Sequence, residues 1–237
     1  SSSGASSSSE TVSSDVSSSS GSADTASAAT AADTVNLAQG KGNDAFTLEM
    51  EGAGTDLDPA TKDTTIREKE ESILNRLTDG YYGSGEILDG NWNGSGMRSH
   101  YYEAYRQIDR AITLDLGQLS HIESLSFHMQ EGLGWGISAP SMVTYFLSED
   151  GVTFHRVGRV SRFDAVKDED LDHYYSVVEN GKEVNCQSYY FTLDGLNYNA
   201  RYVKVAFELT GTWAFADELE VRGTAAPSDT AETLPDT

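Results

Sequence analysis

From Ala111 to Val221 the apolar side chains come in short alternating runs cut by glycine or by Asp and Asn. This period of two is the constraint that decides what the chain can become. Ala111 to Gly117 alternates and stops at the glycine. Ile122 to Met129 alternates again, with Ile122, Leu125, Phe127 and Met129 as the inward set. Ser141 to Ser148 runs into Glu149-Asp150-Gly151, and Val152 to Val160 follows as its partner. Asp-Gly accommodates the positive φ angles of a tight turn, so the pair predicts a hairpin. Tyr189 to Leu193, Arg201 to Leu209 and Glu218 to Val221 supply three more short strands. Only Thr64 to Leu77, with Ile66, Ile73, Leu74 and Leu77 among charged residues, predicts a helix. The expected fold is all-β, an antiparallel β-sandwich or jelly roll with one short helix. No repeat at a fixed period is present, which argues against a solenoid.

The ends have another composition. Residues 1–34 are Ser, Ala, Thr and Gly with scattered acids and two valines, and 14 of the first 23 are Ser, leaving almost nothing apolar to offset the entropy of ordering. A disordered linker is expected there, and a disordered acidic tail over 224–237. The folded unit is residues 35–223, expected to be a monomeric module of a larger multidomain protein. A formal charge of −22 leaves no basic stripe for nucleic acid or for an anionic membrane surface. The single cysteine, Cys186, excludes an internal disulfide and a cysteine zinc site. No apolar run reaches the ~20 residues that membrane insertion requires.

Five stretches in order carry a family resemblance. They are Val35-Asn36-Leu37-Ala38-Gln39-Gly40-Lys41; Leu77-Thr78-Asp79-Gly80 followed by Trp92; and Ile112-Thr113-Leu114-Asp115-Leu116-Gly117. Then come Leu147-Ser148-Glu149-Asp150-Gly151-Val152-Thr153-Phe154 and the closing Arg201–Val205 with Trp213–Val221. Together they resemble the discoidin or coagulation factor 5/8 type C superfamily, the galactose-binding-like jelly rolls that include many carbohydrate-binding modules. The likeness spans about residues 35–223 and is nearest to versions attached to large secreted bacterial glycan-processing proteins. It implies a structural calcium held by turn carbonyls, Asp79 and Glu218, a donor set suited to a hard cation. The turn after Asp79 is longer than the family pattern, so the resemblance assigns no middle ligands.

The resemblance also implies that an aromatic residue just before the closing strand stacks on sugar, and Trp213 holds that position. Trp92, Tyr101, Tyr102 and Trp135 likewise sit beside Gly, Asn and Ser rather than in apolar alternation. Flat rings stack on the apolar face of a pyranose while Arg98 and His100 can bond its hydroxyls. The candidate glycan-binding set is therefore Trp92, Arg98, His100, Tyr101, Trp135 and Trp213. The alternative for each ring is a plug at the end of the sandwich.

Catalysis has little support. No nucleophile elbow, zinc-protease helix or phosphate loop is present, and the five histidines lack triad or metal spacing. His121 and His128 flank a strand and read as structural. Asp168, Asp170, Asp172 and Glu179 fall at calcium-loop spacing, but His173 replaces the glycine such a loop needs, so the stretch reads as a solvated acidic loop. The expectation is a non-catalytic glycan-binding module, extracellular and held at a cell surface or wall. The alternative is a protein-binding adhesion or docking domain. The final Leu234-Pro235-Asp236-Thr237 is similar to the L-P-x-T sequence that sortases cleave, and the Ser-rich start is similar to tracts after a lipoprotein cysteine. Both fit that location.

Overall fold

The computed structural model describes residues 33–50, 74–82, 85–86, 95–98, 100–101, 106–107, 110–132, 137–170, 173, 175–208 and 213–237. In chain order the first strands are β1 (Val35–Asn36), β2 (Phe46–Met50), β3 (Gly85–Glu86), β4 (Ser95–Arg98), β5 (His100–Tyr101) and β6 (Arg106–Gln107). There follow β7 (Arg110–Glu131), β8 (Met142–Ser148), β9 (His155–Ser161), β10 (Val166–Lys167) and β11 (Tyr175–Glu179). The last are β12 (Lys182–Asn185), β13 (Gln187–Leu193), β14 (Tyr198–Glu208) and β15 (Trp213–Thr224). The main path runs β1-β15-β7-β14-β8-β9, with β2 and β13 also on β7, β10 on β13 and β4 on β15. Its pairings are antiparallel.

β7 holds the two layers together. Its 22 residues contain what the sequence reads as two strands. Arg110 to Asp115 pairs with β14, and Arg110 to Leu114 with β2; Ser120 to Ile122 meets β14 again, and Leu125 to Gln130 lies between β15 and β13. Between these parts the register jumps: Ala200 faces Ser120 but Tyr202 faces Asp115. Arg201 alone therefore spans the corner at Leu116 to Leu119. Gly117 takes φ 84°, the left-handed region that costs glycine little. Asp115 fixes the corner by accepting from Gly117 N at 2.7 Å and, through both oxygens, from the Arg201 guanidinium at 2.8 Å. The Arg201 hydrogen bond also holds the Asp115 carboxyl below its usual range.

The core lies between the two halves. Ile112, Leu114, Val203, Val205, Phe207, Tyr145 and Leu147 come from one side; Leu125, Phe127, Met129, Phe191, Leu219 and Val221 come from the other. Phe127 meets Phe207 with ring centroids 5.7 Å apart, and the buried Tyr145 hydroxyl donates to the Phe191 carbonyl. These are the inward residues that alternation selects, and the antiparallel sandwich expected from them is the observed fold.

Three local expectations change. The helix from Thr64 is seen only as a 3-10 turn at Leu74–Leu77, while residues 64–73 lie outside the described residues. The partner strand after Asp150-Gly151 starts at His155, because Asp150 Oδ1 accepts from both Val152 N and Thr153 N and holds those residues in the turn. Residues 224–237 are not a disordered tail. Ser228 N donates to Asn199 Oδ1 at 2.8 Å and Glu232 N to the Asn197 carbonyl at 2.7 Å, so fixed polar partners order a segment poor in apolar residues. The linker expected over residues 1–34 falls outside the described residues, save Asp33 and Thr34.

Phe127 is fully buried at the centre of this core. Phe127→Ala should cost about 3–5 kcal/mol in urea unfolding, against less than about 1.5 kcal/mol for a well-repacked Phe127→Leu. A loss below about 1 kcal/mol for Phe127→Ala would show that the two halves do not close on this ring.

Candidate functional site

Three separate segments meet at one edge of the sheet. Asn36 Oδ1 accepts from Ala38 N within its own turn and from Val221 N on β15, and Leu37 N donates to the Val221 carbonyl at 2.7 Å. The same turn is tied to Leu77–Gly80. Gly40 N donates to the Thr78 carbonyl at 2.6 Å, and Thr78 Oγ1 donates back to the Lys41 carbonyl at 2.8 Å. Gly80 has φ 83°, a backbone conformation that favours glycine, and a Cβ there would displace the end of the Gln39 side chain.

This junction brings Asp79 to Glu218. Gly80 N donates to Glu218 Oε2 at 3.1 Å, while Glu218 Oε1 is buried with no hydrogen-bond partner among the described residues. Burial pushes the Glu218 carboxyl up to about 9, and the nearby Asp79, Asp217 and Glu220 push the same way. A β-bulge explains how two successive acids are both buried. Ala216 faces Met129 and Glu218 faces His128, so Asp217 is an extra residue on β15 and the alternation slips by one. Asp217 and Glu218 are 0% and 1% exposed.

Asp217 has a partner in His128, which lies on the β7 face opposite Phe127 and Met129. His128 Nδ1 donates to Asp217 Oδ1 at 2.5 Å and Nε2 to Asp168 Oδ2 at 3.0 Å. Each ring nitrogen faces a carboxylate oxygen, an arrangement that favours the imidazolium. Burial opposes that charge, but the two carboxylates outweigh it and raise the His128 pKa to about 9. Asp168 Oδ2 also accepts from His173 Nδ1 at 2.8 Å and from the Tyr190 hydroxyl at 3.0 Å. Against the cost of burial, these donors hold its carboxyl well below the ordinary range. Tyr82 closes the cluster, stacking on His173 at 4.1 Å, meeting His128 edge-on and donating to Glu220 Oε1 at 3.0 Å.

The sequence reading is therefore corrected at Asp168, which is 7% exposed and the hub of a buried network rather than part of a solvated loop. His128 sits between two carboxylates whose positions, 89 and 40 residues away, leave no local mark in the sequence. The available signal was the pair Asp217-Glu218 inside a strand-like run, where two successive acids break the period of two.

Among the described residues no group of three or more His, Cys, Asp and Glu could hold a metal. A hard cation also takes carbonyl oxygens, so two carboxylates beside a turn remain a suitable donor set. The unpartnered Glu218 oxygen fits such an ion, which would displace the proton that burial and like charge hold on this carboxyl.

The candidate glycan residues are distributed differently. Trp92 and Trp135 lie outside the described residues. Arg98 ends β4 and Trp213 begins β15, and they are direct register partners. His100 and Tyr101 form β5, opposite Gln107 and Arg106. The fold thus brings Arg98 and Trp213 together across more than a hundred residues of sequence.

No family model matches the chain, and no curated protein matches it. Among solved structures it is similar to the Clostridium perfringens module CpGH89CBM32-5 in complex with GalNAc-beta-1,3-galactose, at 17% identity and TM-score 0.42, covering 76% of this chain and 96% of that one. It is similar to the lectin domain of lectinolysin complexed with Lewis B antigen, at 18% identity and TM-score 0.43, over 81% and 98% of the two chains. A Streptococcus pneumoniae fucose binding module is similar at 16% identity and TM-score 0.40, over 79% and 94%.

The raised values of His128 and Glu218 set a pH dependence of stability. A group whose folded value lies above its unfolded one loses stability as pH rises between the two. For Glu218 that window runs from the ordinary carboxylate range to about 9, and for His128 from its ordinary 6.5 to about 9. In chelator-treated protein the melting temperature should fall from pH 6.5 to 9, and His128→Gln should flatten the slope. Parallel slopes for the two proteins would show that His128 is not charged in the fold.

Proposed function

We propose that the domain is a non-catalytic carbohydrate-binding module that takes glycan at the β4–β15 end and carries a calcium ion at the Asp79–Glu218 junction. One observation carries the glycan reading: Trp213 and Arg98, singled out separately in the sequence, are direct partners across β4 and β15. An aromatic face for the apolar side of a pyranose and a guanidinium for its hydroxyls make a suitable minimal pair. His100 and Tyr101, beyond the end of β4, and Trp92 and Trp135 complete the proposed set.

Charge balance supports the ion. Asp168, Asp217 and Glu218 are the buried acids among the described residues, and His128 is the one buried base. The imidazolium faces Asp217 and Asp168, leaving Glu218 to be neutralised by a proton or a cation. Asp79, Glu218 and carbonyls of the adjoining turns would hold calcium, which braces the junction and performs no chemistry there. The module belongs, on this reading, to an extracellular, surface-held protein.

Trp213→Ala should remove binding to a glycan array while leaving the melting curve within a few degrees of wild type. Simple sugar should compete with the array signal. Binding to proteins that sugar does not displace would favour the docking alternative, and unfolding of the variant would make Trp213 a core ring. Excess chelator should lower the melting temperature without abolishing the fold, because an ion stabilises only the state that binds it. An unchanged curve, with no metal in the purified protein, would remove the calcium assignment.

A further inference from the structure

The segment after β15 crosses the ends of strands that are neighbours in the sheet. It starts beside β7, where the Gln118 amide donates to the Ala225 carbonyl at 2.5 Å and His121 N to the Ala226 carbonyl at 3.3 Å. It then reaches β14. Ser228 and Asn199 exchange two hydrogen bonds, at 2.8 and 2.9 Å, and Asn197 Nδ2 donates to the Thr230 carbonyl at 3.1 Å. Glu232 N returns a bond to the Asn197 carbonyl at 2.7 Å, and Glu232 bridges Tyr198 in parallel. The segment arrives at the β8–β9 turn, where Leu234 packs on the core margin and His155 Nδ1 donates to the Pro235 carbonyl at 2.5 Å.

This strap differs from the sandwich in what holds it. No residue from Thr224 to Thr237 is buried, and Leu234 alone of them packs against the apolar core. Its hold is a row of hydrogen bonds to side-chain amides and strand ends. The net worth of one such bond is close to the entropy of fixing one residue, so the closed state is favoured only by the small surplus that the row of bonds adds up to. The cleft that receives it also gathers Glu149, Asp150 and Glu232, whose like charges favour release. Local opening of this kind requires no loss of the core.

We propose that residues 225–235 are a latch that opens without unfolding the sandwich and, when closed, withholds its own Leu234-Pro235-Asp236-Thr237 stretch from any enzyme that must bind it extended. The Leu234 side chain and the Pro235 carbonyl are the two groups the closed latch engages. Asn199 and His155 are its fastening points, one near the middle and one near the end.

Hydrogen exchange by mass spectrometry on the full chain tests this. In wild type the amide of Glu232 should exchange about tenfold or more slowly than in a synthetic 225–237 peptide. Asn199→Ala, which removes both bonds to Ser228, should cut that protection about tenfold, with β7 and β14 amides unchanged. His155→Ala should release residues 233–237 first. Wild-type exchange at the peptide rate would mean that no closed latch exists. Loss of β14 protection together with the strap would make the segment an inseparable part of the fold. Either result overturns the proposal.

Discussion

The bond between Asp115 and Arg201 sits where one strand becomes part of two layers. β7 is long enough to pair with β2 and β14 before the corner, and with β13, β15 and the start of β14 after it. A strand that changes layers must break its ladder somewhere, and the backbone groups released there need other partners. Asp115 takes the Gly117 amide, Lys41 Nζ donates to the Leu116 carbonyl at 2.7 Å, and Arg201 spans the gap. Because Phe127 and Phe207 lie on strands joined through this corner, their packing depends on its angle.

The second break in regularity lies in β15, and it has the opposite effect. The bulge at Asp217 leaves the hydrophobic register intact on either side, since Ala216 remains buried before it and Leu219 after it. It also turns two acids into the protein. For a chain with a formal charge of −22, burying acids would be costly without compensation. His128 supplies one positive charge between two carboxylates, and Tyr82, Tyr190 and His173 satisfy the remaining oxygens around Asp168 and Glu220. This polar layer covers part of the outer face of the sheet, so His128 and Gln130, on the outward phase of β7, are buried too. Among the described residues, Glu218 Oε1 and Gln130 Oε1 are the oxygens of this layer left without a hydrogen-bond partner.

The strap and the polar layer show two ways of ordering residues that have no apolar reason to order. In the polar layer, Asp168, Asp217 and His128 are buried and bonded to one another, under the half-buried rings of Tyr82, Tyr190 and His173. Along the strap, the amides of Asn197 and Asn199 substitute for a neighbouring strand while the segment stays at the surface. The first arrangement is bound into the core through β7 and β15; the second rests on exposed bonds and is open to exchange with water.

Alternation by itself determined the all-β fold class and the inward residues Leu125, Phe127 and Met129, because side chains on a pleated strand change face at every residue, and the Asp150-Gly151 pair marked the hairpin through the positive φ it accommodates. The Leu77-Thr78-Asp79-Gly80 turn and the closing acid could also be picked out, since a glycine at positive φ and a carboxylate in a strand are local marks. Tertiary structure alone decided that Gly117 is a corner rather than a strand end, because only the register against β14 shows the strand continuing. It alone decided that Asp168 and His128 meet, since 40 residues separate them and a short period carries no information at that range. The same holds for Arg98 opposite Trp213. Composition reports whether a segment can bury apolar surface, and it left the strap looking disordered. It is silent on fixed amides waiting at the ends of other strands, and those amides order Ala225 to Pro235.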